Sequence, residues 1–135
     1  MSVKLLDTTF LIHYWAGRES ARDYLEQNEE FELATTTLNI KEIVVGRALQ
    51  GKLNRHEILE TFEWMNIIPF QTKHAFLAGQ IEAESYRDGK RKSGQNKFPY
   101  WRCADTVVAK ETGATVVTEN KDDFEFLGDV SVEIY

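Results

Sequence analysis

"VKLLDTTFLIHYW", residues 3–15, reads as a core strand that runs into a carboxylate and leaves it as a helix. Val3, Leu5 and Leu6 lead to Asp7, two hydroxyls follow at Thr8 and Thr9, and apolar residues resume at helical spacing from Phe10. The same strand-to-helix alternation continues along the chain. Helices are expected over 9–15 and 20–27, the second with Ser20 as its N-cap. "FELATT" (31–36) reads as a strand, and a helix over 38–50 carries Ile40, Ile43, Val44 and Ala48 on one side until Gly51 stops it. Asn54 caps a helix of Ile58, Leu59, Phe62 and Met65, which leads into the short strand "NIIPF" (66–70). A helix over 72–87 presents Ala75, Phe76, Ala78, Gly79, Ile81 and Ala83. "ADTVVAKETG" (104–113) is helical up to Gly113, "ATVVT" (114–118) is a β-branched strand, "KDDFEFL" (121–127) a short helix and "VSVEIY" (130–135) a last strand. About five strands interleaved with helices predict a single α/β domain over 1–135, a three-layer α/β/α sandwich around a mainly parallel sheet.

Composition narrows the class. The chain has 135 residues, 42% hydrophobic and 28% charged, within the range of an ordinary globular domain. No apolar run approaches the roughly 20 residues of a membrane span, and no secretory signal pattern opens the chain. The single cysteine, Cys103, cannot form an internal disulfide, which agrees with a reducing cytoplasmic setting. Histidines at 13, 56 and 74 lack ligand spacing and cysteine partners, which argues against zinc. His13 reads as structural rather than as a general base, Cys103 as a small packed hydrophobe, and Trp15, Phe62, Trp64 and Phe76 as core or interface. The net charge of −6 is unevenly spread. "RDGKRKSGQNKFPYWR" (87–102) holds six of the 16 basic residues and one acid, leaving ten basic against 21 acidic residues elsewhere.

In parallel sheets of this type, ligands sit beyond the carboxyl ends of the strands. Asp7 ends the first strand and Thr118 the fourth, with Asn120 and Asp123 close behind. Asp105 is placed at the start of the helix that feeds that fourth strand, and Glu42 near the start of the helix after the second. Capping and the helix dipole explain any one of these acids. They do not explain four converging carboxylates, which repel one another unless a cation neutralises them. Oxygen ligands without histidine or thiolate suit Mg²⁺ or Mn²⁺.

"LLDTTFLIHY" (5–14), "KEIVVG" (41–46), "ADTVVAKETGATVVTENKDDF" (104–124) and "VSVEIY" resemble, in order and spacing along the whole chain, a PIN domain. More narrowly they resemble the toxin nucleases of VapBC type. "D-T-T" alone carries little; the run from Asp105 through "GATVVTEN" to "DDF" is much more specific. The resemblance implies that Asp7 and Asp105 are metal-binding aspartates and that Thr9 is the accompanying hydroxyl. It also implies that Glu42 is the glutamate of an E-L-x-x-G motif, written here as "EIVVG", and that Asp123 and Asn120 share the region of a fourth polar position. Many relatives carry an acid where Asn120 stands, so Asp122, Asp123 and Asn120 stay open as the fourth ligand. "FPYWRC" (98–103) is more aromatic than the G-x-x-I of relatives.

The implied activity is Mg²⁺-dependent endoribonuclease chemistry, with Mn²⁺ able to substitute. Asp7, Glu42, Asp105 and Asp123 form the metal and catalytic set, supported by Thr9, Thr118 and Asn120. The implied partners are RNA, a small VapB-type antitoxin offering a basic residue to the acidic pocket, and a second copy of the chain. Lys90, Arg91, Lys92, Lys97 and Arg102, with Arg87, are candidate contacts to the RNA backbone; Phe98, Tyr100 and Trp101 are candidates for base stacking. The plainer reading of that segment is a solvated lysine-rich loop with packed aromatics. Three other classes compete. An aspartyl-phosphate phosphatase typically needs a second aspartate where Thr9 stands, and a receiver domain needs an acidic pair and a late lysine that "LLDTT" and "ATVVT" lack. The third is a PIN-like binding module without turnover.

Overall fold

The computed structural model describes residues 2–87, 100–121, 124 and 130–135, with Ser85 and residues 100–103 described by backbone alone. The chain runs β1 Val3–Leu6, α1 Thr8–Trp15, α2 Glu19–Gln27, β2 Glu32–Thr36, α3 Thr37–Leu49, α4 Arg55–Phe62, β3 Asn66–Ile68, α5 Thr72–Arg87, α6 Tyr100–Thr112, β4 Thr115–Val117 and β5 Val132–Glu133. The sheet order is β3-β2-β1-β4-β5 and all four pairings are parallel. The expected sandwich is present, and the sheet is parallel at every described pairing. Among the described residues no helix is long and apolar enough to cross a membrane.

Alternation along the strands divides the core. Leu6 and Val117 face one side, where Phe10 and Leu11 of α1, Tyr24 of α2, Ile43 of α3 and Phe62 of α4 close over them. Leu5, Ala34 and Val116 face the other side, against Val108 and Ala109 of α6 and against Phe124. Behind α6, Val107 packs with Leu77, Ala78 and Ile81 of α5. Both faces of the sheet are therefore covered, as parallel strands require.

Helix ends follow their sequence signals with two corrections. Asn54 caps α4 by accepting from the Glu57 N–H at 3.0 Å. Gly51 and Gly113, the predicted stops, take φ of 70° and 73°, a conformation that costs glycine nothing. The expected Ser20 cap is not used. Gly17 at φ 77° reverses the chain after α1, the Arg18 N–H donates to the His13 carbonyl at 2.9 Å, and α2 starts one residue early with Arg18 at its N-cap. The other correction is larger: α6 begins at Tyr100 instead of Ala104. One predicted face also shifts, since Ala48 is exposed on α3; Phe76, read as core or interface, stands 75% exposed on α5 and so is not core. The expected helix in "KDDFEFL" lies mostly outside the described residues.

Candidate active site

Strand order reverses at β1. Connections run from β1 to β2 and β3 on one side, then return to β4 and β5 on the other. The crevice at such a switch point, beyond the carboxyl ends of β1 and β4, is where open parallel sheets bind ligands. Asp7 stands at the end of β1 there, its N–H donating to the Val117 carbonyl of β4 at 3.2 Å. Thr118 follows β4, fully buried, its N–H donating to the Glu133 carbonyl and its Oγ1 accepting from the Asn120 N–H at 3.1 Å. Asn120 itself is exposed.

Asp7 is the N-cap of α1, and its side chain is only 5% exposed. One oxygen, Oδ1, accepts both the Phe10 N–H at 3.0 Å and the Thr9 hydroxyl at 2.7 Å. The capping account of this residue is therefore correct as far as it goes. It does not extend to Asp105. With α6 starting at Tyr100, Asp105 lies more than a turn inside the helix, fully buried, beyond the first turn where a cap or the helix dipole acts. A buried helical carboxylate is costly without specific partners. Its Oδ1 accepts from the Thr36 hydroxyl at 3.2 Å and from the Asn39 amide at 2.8 Å.

Asn39 went unmarked in the sequence reading. It is fully buried, and its Nδ2 lies 3.2 Å from the Leu6 carbonyl, 3.2 Å from Thr35 Oγ1 and 2.8 Å from Asp105 Oδ1. Its Oδ1 accepts from the Thr8 hydroxyl at 2.8 Å. One signal pointed to it: Asn39 and Ile43, four residues apart, are the buried residues of α3, so a polar side chain sits on the inward stripe.

Glu42, one turn further along α3, is partly exposed and pairs with Lys41 at 3.2 Å. It lines a groove of about 410 Å³ with Ile12, Trp15, Ala16, Gly46 and Arg47. Among the described residues no group of three histidine, cysteine, aspartate or glutamate side chains forms a metal-holding cluster. Asp7 and Asp105 are thus brought to one rim, and Glu42 borders the neighbouring groove. Asp122, Asp123, Lys90, Arg91, Lys92, Lys97 and the Arg102 side chain lie outside the described residues. The buried carboxylates of Asp7 and Asp105 are oxygen donors of the kind that suits a hard divalent cation.

A second polar chain approaches Asp7 from β5. The Tyr135 hydroxyl bonds His13 Nδ1, and its ring meets Phe10 edge-on at 4.7 Å. Arg18 lies 2.9 Å from His13 Nε2, and Glu119 pairs with both His13 and Arg18. Burial, with the Asp7 and Glu119 charges, pushes the Tyr135 phenol up to about 12 against the opposing effects of Thr9 and Arg18, so it stays protonated. His13 is thus held between Tyr135, Arg18 and Glu119.

Comparison with known proteins adds the family. The PIN domain model matches residues 4–89. The chain belongs to the PIN domain family. No curated protein sequence matches it. Among solved structures, the PIN fold seen here is similar to a chain of VapBC2 from Rickettsia felis bound to a DNA fragment from their promoter, at 17% identity, 98% coverage of both chains and a TM-score of 0.76. A chain of DNA-bound VapBC from Salmonella typhimurium aligns at 24% identity over 99% of this chain and 98% of that one, TM-score 0.75. A chain of FitAcB from Neisseria gonorrhoeae aligns at 24% identity over 96% and 95%, TM-score 0.71. These likenesses establish the fold. The PIN match spans Asp7 and Glu42 and stops short of Asp105.

Proposed function

We propose that this PIN domain is a Mg²⁺-dependent endoribonuclease and the toxin of a VapBC-type pair. The observation that carries the reading is Asp105: a fully buried carboxylate inside a helix, at the switch point that also holds Asp7, with no capping role to account for it. Two carboxylates at one rim invite a cation, since charge left there unneutralised would favour protonation instead. Asp7 and Asp105 would hold the ion, and Asp123 and Glu42 would complete the acidic pocket. When bound, Mg²⁺ or Mn²⁺ supplies charge neutralisation for the phosphodiester and lowers the pKa of the attacking water. Hydrolysis joins the water oxygen to phosphorus, breaks the bond to the leaving ribose oxygen and returns a proton to that oxygen. Thr9 orients Asp7, while Thr118 and Asn120 offer polar groups to phosphate oxygens or water at the same rim. Lys90, Arg91, Lys92, Lys97 and Arg102 offset the repulsion between an acidic pocket and an RNA backbone.

The likeness to chains of VapBC structures supports a small VapB-type antitoxin as partner. That partner would lay a basic group into this pocket, and the nuclease would act as a homodimer in the cytoplasm. A binding module without turnover is the second reading, favoured by Glu42, whose carboxylate pairs with Lys41 beside the α1–α3 groove. An RNA cleavage assay separates the two. Purified protein should cut RNA with Mg²⁺ or Mn²⁺, stop on addition of EDTA, and lose cleavage in Asp7→Asn and Asp105→Asn. Full activity in folded Asp105→Asn would refute the assignment, and failure of the wild type to cut any cellular RNA with metal present would favour the binding module.

A further inference from the structure

Residue 39 joins three parts of the chain through one side chain. The Asn39 amide nitrogen contacts the Leu6 carbonyl, whose carbon is bonded to the Asp7 nitrogen, and at the same time Asp105 Oδ1. Its oxygen is held by the Thr8 hydroxyl, on the other side of Asp7. Asn39 therefore touches both chain neighbours of one carboxylate and the side chain of the other. We propose, resting on the metal-site reading above, that Asn39 is a positioning residue that sets the spacing and orientation of Asp7 and Asp105 as a pair of cation ligands.

Three physical points support this role. The amide is neutral, so it can fix a carboxylate oxygen by hydrogen bonding without cancelling the charge a cation needs, as an arginine would. It is fully buried, so its bonds are shielded from competing water and its rotamer is locked by packing. The two ends of an asparagine amide are chemically distinct, and the Leu6 carbonyl and Asp105 carboxylate decide between them: both only accept, so both need Nδ2, which leaves Oδ1 to the Thr8 hydroxyl. Were the amide reversed, two oxygens would face each other. Thr36 supplies the other hydrogen bond to Asp105 Oδ1 and also caps α3, its Oγ1 accepting from the Asn39 N–H at 3.2 Å. The same first turn of α3 thus holds the positioning amide and aims it.

The test is calorimetric titration of metal-free protein with Mn²⁺, at a temperature where circular dichroism shows every variant fully folded. Asn39→Leu keeps the side-chain shape and removes both amide functions. Its Mn²⁺ affinity should fall about 10–100-fold, the range found when groups behind metal ligands are removed, while KM for RNA at saturating Mn²⁺ stays near the wild-type value. Thr8→Val leaves Asn39 and both aspartates in place and removes only the bond that holds the amide oxygen. It should show a smaller loss of affinity, outside titration error. Unaltered affinity in both folded variants would overturn the positioning role. If Asn39→Leu does not fold, Thr8→Val decides alone. A wild type that binds no Mn²⁺ sinks the metal reading itself, whereas a wild type that binds while the variants bind equally well sinks only the role of Asn39.

Discussion

Asp7 and Asp105 occupy one rim of one sheet and are held there in opposite ways. Asp7 is fixed by its own neighbourhood: the Thr9 hydroxyl and Phe10 N–H that its Oδ1 accepts lie two and three residues away. Asp105 is fixed by partners 69 and 66 residues distant, Thr36 and Asn39. The first arrangement is a helix cap of a kind open to any strand-to-helix turn. The second requires the whole fold. A carboxylate seen capping its own helix is weaker evidence for a binding site than one held by partners from across the fold. The functional weight therefore falls on the residue whose surroundings are least local.

Metal addition should break the contrast between them. If both are cation ligands, Mg²⁺ at about 100 times its Kd should stabilise the wild type by roughly 2.7 kcal/mol. A thermal scan should show that rise vanish in Asp7→Asn and in Asp105→Asn alike. A rise that survives in either variant removes that residue from the site.

Without metal the contrast should sharpen into opposite signs. Asp7→Ala removes the α1 cap and should cost about 1 kcal/mol. Asp105→Asn keeps an acceptor for Thr36 and Asn39 while removing a buried charge, and should leave stability unchanged or raise it by about 1 kcal/mol or more. Urea denaturation of metal-free protein measures both. Destabilisation of Asp105→Asn would mean that its charge is already neutralised within the protein.

Tyr135 tests how local the hold on Asp7 is. Tyr135→Phe removes the hydroxyl from His13 and from beside Thr9 while keeping the ring on Phe10. The expected loss is about 1 kcal/mol of stability in urea denaturation, with Mg²⁺ stabilisation retained. Loss of that Mg²⁺ response would show that Asp7 depends on more than its cap.

The smallest effect concerns an acid that already has a cation. Lys4 Nζ lies 2.8 Å from Glu133 Oε2, a pair that ties β5 back to β1 across β4. Burial pushes the Glu133 carboxyl up, but Lys4 and the Tyr24 hydroxyl outweigh it and hold it below the ordinary range. Folding thus lowers this pKa, so the pair stabilises the protein fully above the unfolded value of about 4.3 and loses that contribution as pH falls through the lower folded value. The carboxylate is partly exposed and screened, which limits the contribution to under about 1 kcal/mol. Stability measured from pH 6 down to pH 3 should fall less steeply in Glu133→Gln than in the wild type. Identical profiles would show that the pair contributes nothing.

Much of this was legible in the residue order. The strand-to-helix turn at Asp7, the Asn54 cap and the glycine stops at 51 and 113 are local events, decided by backbone freedom and hydrogen bonds within a few residues. Hydrophobic periodicity placed most elements to within a few residues. It misjudged Ala48 because an apolar stripe does not say how much of itself a neighbour will cover. It also began α6 too late, at the residue where the apolar pattern becomes clear. That error made Asp105 look like a cap.

By itself, the sequence determined which segments become strands and helices, the stops between them and the acids that border the sheet, because those depend on contacts near in the chain. Only the tertiary structure decided that Asp105 is buried within a helix, that Asn39 bridges it to the chain around Asp7, and that Glu42 borders a neighbouring groove. Those facts arise where β1, α3 and α6 converge, and a hydrogen bond spanning more than sixty residues leaves no periodic trace in the order of amino acids.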